Sequence, residues 1–425
     1  MAALDSSLLP QSCVVRDGRL IIAGIDAVTL AQEYGTPVFV YDEAHLRARC
    51  REAVQAFPGG AAYASKAFLC TAMAQLAAEE GMQIDVASGG ELHVALSASF
   101  APDKITLHGN NKSTDELTRA IEVGVGRIVV DSLDEIARLG ALTAGLDDPV
   151  RVLVRVTPGV EAHTHEFVMT GQADSKFGLG LHNGDALEAI SRLRAIPGVE
   201  LVGIHAHLGS QILRTDSFQK AIAILADFLL SLDLNEFCIG GGLGAAYVNG
   251  EIAPTITEWG AMVHTAARDA GIPSHVRITA EPGRSIVAAA AVTLYSVGTV
   301  KKIEDIRTYV SVDGGMSDNP RPIIYGTGYE AFLPRCVDDQ RTMTATIVGK
   351  HCESGDVVVR DAQIPEDIQI GDILATPVTG GYGYSMASNY NKVPRPPVVF
   401  VNDGRSQLVV RRETLGDLVR LDVGL

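Results

Sequence analysis

The sequence predicts a (β/α)8 barrel combined with a discontinuous, mostly antiparallel β domain. Three observations predict this architecture. Eight short apolar or β-branched runs lie between residues 61 and 283. Segments with the apolar spacing of helices alternate with these runs. Beyond about residue 293 further runs follow one another, but the helical segments between them stop.

Most of the eight runs are too uniformly apolar for strands with one solvated face. Such runs are typical of parallel strands that are buried on both faces. In chain order they are AAYASKA (61–67), QIDVASG (83–89), KITLHG (104–109), RIVVDS (127–132), RVLVRVTP (151–158), ELVGIHAHLG (200–209), EFCIGGG (236–242) and RITAEPG (277–283).

Helical patterns separate these runs. In NKSTDELTRAIEVG (111–124), Ser113 or Thr114 precedes acidic residues, which predicts an N-cap with favourable first-turn charge. Eight strands that alternate with helices fit either a barrel or a doubly wound sheet, and the number eight favours the barrel. The other helical patterns are TAMAQLAAEEG (71–81), DSLDEIARLGAL (131–142), NGDALEAISRLRA (183–195) and SFQKAIAILADFLLSL (217–232).

The C-terminal part reads as strands joined by short turns, which predicts an antiparallel β domain. CVVRDGRLIIAG (13–24) predicts an N-terminal hairpin that turns at Asp17-Gly18 and joins this domain. We therefore expect the barrel over residues 36–293 and the β domain over residues 1–35 and 294–425. The runs that predict its strands are VTLYSVGTVKKI, RTYVSVDGG, MTATIVGKHC, DVVVRDAQI, DILATPV, PPVVFVNDG and QLVVRRETL.

The composition is that of an ordinary globular protein, because 47% of its 425 residues are hydrophobic and 20% are charged. The formal net charge of −16 argues against nucleic acid or an anionic membrane as partner and favours a small molecule. No apolar run reaches the roughly 20 residues that span a bilayer, and the N-terminus does not resemble a signal peptide. The six scattered cysteines form no CxxC, so we expect a reduced, cytoplasmic enzyme.

Two glycine-bearing loops follow the seventh and eighth runs, where barrels often bind phosphate. They are Gly240–Gly244 and the segment from Glu281 to Arg284. Glycine allows the backbone to approach a phosphate closely, although a turn that needs positive φ would also explain the first loop.

Lys66 ends the first run and faces the same mouth of the barrel. A buried lysine without a partner is costly, and burial favours the neutral amine that forms Schiff bases. The alternative is a lysine whose head reaches solvent. A phosphate site opposite a lysine suggests pyridoxal phosphate, for which Glu281 would be the acidic partner of the ring nitrogen. Glu281 could equally pair with Arg284.

Two His-x-His pairs suggest a competing metal-dependent hydrolase. His205 and His207 lie in the sixth run, and His163 and His165 follow the fifth. Alternate residues of a regular strand point to opposite faces, which argues against His205 and His207 binding one metal. We therefore expect no metal site.

Three residues of the β domain are further candidates. Cys352, in GKHCESGD, is either a proton donor beside a carboxylate or a small buried residue. Arg321 and Tyr325, in NPRPIIYG, are suited to binding a substrate carboxylate, or they are a surface arginine and a core tyrosine.

Ten motifs in order resemble the meso-diaminopimelate decarboxylase family, of the alanine-racemase-like class of pyridoxal-phosphate enzymes. The resemblance covers most of the chain. The motifs are YASKA (63–67), VASGGEL (86–92), HGNNK (108–112), HTHEFVMTG with SKFG (163–178), HAHLGSQI (205–212), GGGLG (240–244), EPGRSIV (281–287), VDGGMSDNPRPIIY (312–325), CESGD (352–356) and GGYGYSMASNYN (380–391).

The resemblance implies a role for each matching residue. Lys66 would hold the cofactor as a Schiff base, His207 would stack on its ring, and Glu281 would pair with its pyridine nitrogen. The residues implied at the phosphate are Ser210, Gly241, Gly242, Gly283, Arg284 and Tyr382. The residues implied at the substrate are Arg284, Arg321, Tyr325, Glu353 and Tyr382.

The resemblance also implies a reaction and an assembly. The reaction is decarboxylation of meso-2,6-diaminopimelate to L-lysine and CO2, the last step of lysine biosynthesis, with Cys352 as the proton donor. Cys352 and Glu353 would enter the site of the neighbouring subunit, which implies a head-to-tail homodimer with shared active sites.

The chain departs from the family pattern at two positions. Gly381 stands where the family commonly has alanine, and Leu208 stands where it often has isoleucine. Neither change removes a functional group.

The residues around Tyr325 favour diaminopimelate as the substrate. Related ornithine decarboxylases place an aspartate directly after the equivalent tyrosine, where this chain has Gly326, and Arg321 suits a substrate with a second carboxylate. A decarboxylase of another diamino acid or of an acyl-carrier-linked acid, a metal-dependent hydrolase and a non-catalytic binding relative remain alternatives.

Overall fold

The computed structural model describes residues 5–159 and 175–425. Its strands are β1 (Val14–Arg16), β2 (Arg19–Ile22), β3 (Ile25–Asp26), β4 (Val38–Asp42), β5 (Ala62–Ala64), β6 (Gln83–Val86), β7 (Ile105–Leu107), β8 (Arg127–Val130), β9 (Val150–Thr157), β10 (Leu179–Gly180), β11 (Val199–His205), β12 (Glu236–Cys238), β13 (Arg277–Thr279), β14 (Ala291–Ile303), β15 (Arg307–Val312), β16 (Met343–Val348), β17 (Val357–Ile364), β18 (Ile373–Pro377), β19 (Val398–Asn402) and β20 (Arg405–Val410).

The α-helices of the described residues alternate with these strands in the first part of the chain. They are α1 (Ala27–Tyr34), α2 (Glu43–Ala56), α3 (Thr71–Glu79), α4 (Gly89–Ser97), α5 (Thr114–Val123), α6 (Leu133–Leu142), α7 (Asp185–Arg194), α8 (Asp216–Leu230), α9 (Ile256–Asp269), α10 (Arg284–Val287) and α11 (Arg321–Tyr325). Within residues 5–159 and 175–425, none of these helices is both long enough and apolar enough to cross a bilayer.

The barrel unit comprises Arg49–Gly244 and Ala253–Ser285. Its parallel strands follow the order β5-β6-β7-β8-β9-β11-β12-β13, and β10 pairs with β9. The ring closes because the Ala62 amide donates to the Ala280 carbonyl at 2.9 Å and the Ala280 amide donates to the Gly60 carbonyl at 3.1 Å. The eight strands of the ring coincide with the eight apolar runs, so the predicted (β/α)8 barrel is confirmed.

Hydroxyl side chains cap four helices of the barrel unit, each accepting a hydrogen bond from the amide of a glutamate three residues later. The cap and glutamate pairs are Ser88 and Glu91, Ser113 and Glu116, Ser132 and Glu135, and Thr255 and Glu258. At Ser113 and Thr255 the glutamate also accepts from the cap's own amide, which completes a capping box. The N-cap of α5 is therefore Ser113 and not Thr114.

The β unit comprises the chain up to Ala48, Ala245–Ile252 and Ile286–Leu425. The long strand β14 is its centre and pairs antiparallel with β4, β15 and β18. The sheet runs in the order β17-β16-β15-β14-β4-β19-β20, with parallel pairing only at β15-β16 and β4-β19 along the described strands of this path. A mostly antiparallel, discontinuous β domain was predicted and is confirmed.

The strand β4 lies inside the range predicted for the barrel domain, 36–293, but its hydrogen-bonded neighbours are β14 and β19 of the β sheet. The predicted N-terminal hairpin is present, because β1 pairs antiparallel with β2. Its turn residues Asp17 and Gly18 both have positive φ, at 50° and 75°. A type I′ turn requires this conformation at both positions.

Candidate active site

Glu281 is the centre of a buried cluster at the ends of the barrel strands. Its Oε2 lies 3.0 Å from Nε2 of His205, and its Oε1 lies 2.9 Å from Nε2 of His108. The thiol of Cys238 donates to the same Oε1 at 3.3 Å. Glu281 is 5% exposed, so its carboxylate depends on these donors rather than on water.

The cluster holds Glu281 in its ionised form. Burial opposes ionisation, but His108 and then His205 hold the pKa of Glu281 well below its ordinary value. Burial opposes protonation of His108 as well, yet the adjacent Asp85 and Glu281 carboxylates raise its pKa. Burial lowers the pKa of His205 to about 4, so His205 is a neutral donor at neutral pH. The carboxylate of Glu281 is therefore available to a cationic ring nitrogen.

Lys66 lies in the turn that follows β5, and its side chain is exposed in the described chain. The sequence argument that burial would favour its neutral form is therefore wrong, and the alternative of a head group that reaches solvent holds. Lys66 contributes to the electrostatic environment of both Asp85 and His207, which places its ammonium at the same end of the barrel. An exposed amine at this position is accessible to an aldehyde.

His207 lies two residues beyond the end of β11, in the loop that the strand feeds. Its Nδ1 accepts a hydrogen bond from the Gly241 amide at 3.2 Å. Burial, followed by the positive charges of Lys66 and Arg155, holds the pKa of His207 well below its ordinary value. The His207 ring is therefore neutral. Its hydrogen bond with the Gly241 amide joins it to the glycine loop, residues 240–244.

The glycine loop after β12 needs glycine because other backbone segments approach it closely. A Cβ on Gly241 would lie 2.2 Å from the carbonyl oxygen of Glu281, and one on Gly242 would lie 2.2 Å from that of Gly209. Gly242 also has a φ of +105°. A Cβ on Gly283 would lie 3.0 Å from that of Ala64. The loops after β5, β11, β12 and β13 therefore meet at one rim, and their own packing explains these glycines.

Ser210 and Arg284 meet at this rim. Arg284 donates from Nη2 to the Ser210 hydroxyl oxygen at 2.9 Å, and the arginine is only 7% exposed. The next residue, Ser285, has a buried hydroxyl without a hydrogen-bond partner among the described residues. His108 and His205, and not Arg284, are the basic side chains within 3.0 Å of the Glu281 carboxylate oxygens.

The two histidines of HAH do not face one site as a metal pair. His205 is the last residue of β11 and binds Glu281, whereas His207 lies past the strand and binds Gly241. Strand alternation, on which the sequence argument relied, therefore does not apply to His207. A different trio, His108, His205 and Glu281, has donor atoms within 4.8 Å of one another, but these atoms lie at direct hydrogen-bonding distances. His163 and His165 lie outside the described residues.

A second buried network, formed by Asp131 and Arg155, holds the SKFG motif. The Gly178 amide donates to Asp131 at 2.8 Å, and Arg155 lies 3.4 Å from the same carboxylate. The Arg155 guanidinium also lies 4.5 Å from the centroid of the Phe177 ring. This network fixes the backbone at Gly178, three residues after the described residues resume at Ser175.

In the β unit, Arg321 is a buried cation at the start of α11, with 2% exposure. It donates to the Tyr329 hydroxyl at 2.7 Å, and its guanidinium carbon lies 4.2 Å from the centroid of the Tyr247 ring. No carboxylate of the described residues forms an ion pair with it, and its Nε has no hydrogen-bond partner among them. Arg321 is therefore not the surface arginine of the alternative interpretation.

Cys352 and Glu353 lie on an exposed loop of the β unit. The Cys352 amide donates to Asn391 Oδ1 at 3.2 Å, and the hydroxyl of Tyr390 donates to Glu353 in a short hydrogen bond. The base of the loop is fixed by Asp356, which accepts from the amide of His351 at 2.9 Å and from its Nδ1 at 3.0 Å. Cys352 is exposed, so the alternative of a small buried residue is wrong.

Tyr325 and Tyr382 are both half-buried in the β unit. Tyr325 ends α11, which begins at Arg321, so one short helix carries both residues. Tyr382 has a φ of +61°, which is uncommon for a residue with a side chain. It is one of the groups that raise the pKa of Arg321, together with Tyr329 and Tyr247, although burial opposes this shift most strongly.

Sequence reasoning assigned no role to His108, Cys238, Tyr247 or Tyr329. His108 directly follows β7, and barrel sites are built at such strand ends, so its position was an available signal. The two tyrosines carried no such signal, because their relation to Arg321 depends on the packing of separate segments.

The comparisons with known proteins agree on one family. The family model for the pyridoxal binding domain of pyridoxal-dependent decarboxylases matches residues 43–288. The diaminopimelate decarboxylase of Mycobacterium tuberculosis (strain H37Rv) is 48% identical, with 96% of this chain and 95% of that protein covered. That of Bacillus subtilis (strain 168) is 45% identical, with coverage of 96% and 95%. The crystal structure of diaminopimelate decarboxylase from M. jannaschii in complex with L-lysine has a TM-score of 0.90, 31% identity and 98% coverage of both chains.

A (β/α)8 barrel whose strand ends carry Lys66 and the ionised Glu281, and whose sequence matches the pyridoxal binding domain, defines the class of pyridoxal-dependent decarboxylases. Within that class, this chain belongs to the diaminopimelate decarboxylase family. Its cofactor is pyridoxal phosphate.

The residues of the barrel unit fit this cofactor. The carboxylate of Glu281 is ionised and buried, as a partner for a protonated pyridine nitrogen must be. Beside the glycine loop, the buried hydroxyl of Ser285 has no partner among the described residues and could donate to a phosphate.

Proposed function

We propose that this chain decarboxylates meso-2,6-diaminopimelate to L-lysine and CO2, the last step of lysine biosynthesis. The observation that carries the choice of substrate is Arg321, a buried cation with no carboxylate partner among the described residues. A buried charge that the protein does not pair is costly, so it favours a ligand that brings its own carboxylate. Meso-diaminopimelate has a second carboxylate for this purpose, and ornithine does not.

On the barrel side, we propose that Lys66 is the amine that binds the cofactor's aldehyde. His207 is neutral and covers one face of the ring, and the ionised Glu281 holds a proton on the ring nitrogen. When bound, the cofactor accepts the electron pair that the departing carboxylate leaves. The residues proposed at the phosphate are Ser210, Gly241, Gly242, Gly283, Arg284 and Tyr382.

On the substrate side, Arg321 binds the carboxylate that does not react, and Tyr325 and Tyr382 line the same site. Arg284 supports the substrate from the barrel rim, and Glu353 accepts from the distal amino group. Cys352 delivers a proton to the carbon that has lost its carboxylate.

We further propose a homodimer in which Cys352 and Glu353 of one subunit complete the site of the other. The exposure of both residues on one loop supports this arrangement. A cytoplasmic location is supported by the six cysteines, all of which are free thiols.

The proposed function is tested with purified enzyme and a panel of amino acids. We expect CO2 release and a change in the cofactor's absorbance with meso-diaminopimelate, and little CO2 release with L-ornithine, L-lysine or L,L-diaminopimelate. Lys66→Ala should abolish turnover and the absorbance of the lysine-bound cofactor, because no other amine occupies its place. Lys104→Ala, at an exposed lysine of the barrel unit, is the matched control and should behave as wild type. Release of CO2 from ornithine at a rate equal to that from diaminopimelate would contradict the proposal.

A further inference from the structure

The guanidinium of Arg321 is held by two aromatic residues from separate segments of the β unit. Tyr329 accepts a hydrogen bond from Nη1 at 2.7 Å. The Tyr247 ring lies under the guanidinium carbon at 4.2 Å, within the range of a cation–π interaction. Thr327 accepts from Nη2 at a weaker 3.4 Å. Each contact restricts a different movement of the planar group.

The two tyrosines also fix one another. Their ring centroids are 5.2 Å apart at an interplanar angle of 79°, which is an edge-to-face pair. Tyr247 is 2% exposed and Tyr329 is 4% exposed, so the pair belongs to the core. The Tyr247 amide donates to Glu251 at 2.8 Å, which anchors its segment. The support for Arg321 is therefore rigid and does not depend on solvent.

This support differs from the usual way to hold a buried arginine. A carboxylate would neutralise the guanidinium and occupy the donors that recognise a ligand. An aromatic face and a phenol oxygen stabilise the cation and leave its charge uncompensated. Among the described residues, Arg321 forms no ion pair, and Nε is one donor that stays unused.

We propose that Tyr247 and Tyr329 are positioning residues for Arg321, which fix its guanidinium so that the enzyme selects substrate by its non-reacting carboxylate. The inference rests on the proposed function, in which Arg321 binds that carboxylate. An arginine held in one orientation loses less conformational entropy when a planar carboxylate binds, and this favours dicarboxylic over monocarboxylic diamino acids.

The experiment compares two ligands that differ only in this carboxylate. L-lysine keeps it and cadaverine lacks it, so both are measured as competitive inhibitors of the holoenzyme. In Tyr329→Phe we expect the inhibition constant of L-lysine and the KM of meso-diaminopimelate to rise about tenfold, because a hydrogen bond to a charged group is lost. The inhibition constant of cadaverine and kcat should change by less than about twofold, since neither depends on the guanidinium.

Tyr247→Leu tests the ring in the same way and should raise the inhibition constant of L-lysine several-fold more than that of cadaverine. Tyr247→Phe keeps the aromatic face and should restore most of the lost affinity for L-lysine. The matched control is Tyr309→Phe, at a tyrosine of β15 that also lies beside an arginine, Arg307 at 5.8 Å, but is not in this core. It should leave all constants unchanged.

Three outcomes overturn the inference. An equal rise in the inhibition constants of L-lysine and cadaverine in Tyr329→Phe would indicate a purely structural role. Unchanged inhibition constants and KM would indicate no role. A decrease confined to kcat would indicate a role in the chemical step. The wild-type assay separates this from the proposed function: if wild type does not decarboxylate meso-diaminopimelate, the proposed function fails first. If wild type does so and Tyr329→Phe matches it, only the positioning role fails.

Discussion

Cys352 lies at the exposed tip of a loop whose base is fixed by hydrogen bonds to Asp356. Asp356 holds the base through the amide and ring of His351, and through the Met316 amide at 2.7 Å. A Cβ on Gly349 would lie 2.1 Å from the Asp356 carboxylate, so this position accepts only glycine. The thiol is thus presented by a rigid support, as a proton donor requires.

Replacing this thiol should slow turnover without loss of the cofactor. For Cys352→Ala we expect kcat to fall about 100-fold, the lower end of what a positioned proton donor contributes. The cofactor's absorbance should be that of wild type, because the proposed cofactor residues are unchanged. Cys13→Ala, at a half-buried cysteine of the β unit, is the control for loss of a thiol. An unaltered kcat in Cys352→Ala would remove the proposed role.

Asp318 gives a prediction about pH and stability. It is buried, it accepts from the Tyr295 hydroxyl at 2.6 Å, and burial raises its pKa from 3.8 to about 7. Between these values the folded protein holds a proton that the unfolded chain releases. The contribution of Asp318 to the free energy of unfolding should therefore fall as pH rises from about 4 to 7 and level off above.

Asp318→Asn mimics the protonated form and should remove this contribution. The free energy of unfolding of the variant, relative to wild type, should increase from pH 5 to pH 7, as urea titrations at several pH values would show. Asp305→Asn, at an exposed aspartate, should leave the pH dependence unchanged. If the free energies of unfolding of wild type and Asp318→Asn changed in parallel with pH, Asp318 would already be ionised in the folded protein across this pH range.

Single residues also show what the sequence could and could not predict. Glu281 was predicted from its place after the eighth run, because barrel chemistry collects at strand ends. Its charge state could not be predicted, since it depends on His108 and His205, which approach from β7 and β11. Lys66 was predicted at the correct end of the barrel but with the wrong burial, since the exposure of a strand-end residue depends on the following loop.

At the scale of elements, strands were predicted better than helices. All eight barrel strands and the N-terminal hairpin follow from apolar runs and turn residues. The helix α4 was not predicted, because it begins with the poor helix formers Gly89 and Gly90. Its start is instead fixed by the Ser88 cap and by Glu91, which accepts from the Ala87 amide at 2.6 Å. β4 was assigned to the barrel because its sequence resembles that of a barrel strand. Its partners, β14 and β19, are distant in the sequence, and no local pattern reveals which strands will pair.

The loop after β18 offers a matched pair of glycines. A Cβ on Gly380 would lie 1.9 Å from the Val287 carbonyl oxygen, whereas one on Gly381 would lie 3.7 Å from the Cβ of Ala288, an ordinary contact. Gly381→Ala should therefore fold and bind the cofactor as wild type, with stability unchanged or raised by about 0.5 kcal/mol. Gly380→Ala should lower stability by several kcal/mol and impair the loop that carries Tyr382.

Thermal unfolding and cofactor titration of both variants would check this pair. Equal tolerance of alanine at both positions would mean that the backbone near Val287 moves easily, and that the position of Tyr382 is not fixed by this contact.

At the scale of the whole molecule, the residues of the proposed site come from both units. Lys66, Glu281 and Arg284 belong to the barrel unit, whereas Arg321, Cys352 and Tyr382 belong to the β unit. If each site takes Lys66 from one subunit and Cys352 from the other, two inactive variants should complement one another in a mixed dimer. A site within one chain would not allow this.

Lys66→Ala and Cys352→Ala should be nearly inactive alone and partly active together. In a mixed dimer, one site carries both changes and the other carries neither, so co-expression should restore about one quarter of wild-type activity when subunits combine at random. The control is the mixture of Lys66→Ala and Glu281→Gln, which lie in the same barrel unit, so every mixed site keeps one change and activity should not return. Two different affinity tags on the co-expressed subunits, with purification on one tag and detection of the other, would establish that mixed dimers form in both. Failure of the first mixture to regain activity, with mixed dimers present, would place Cys352 in the same chain's site as Lys66.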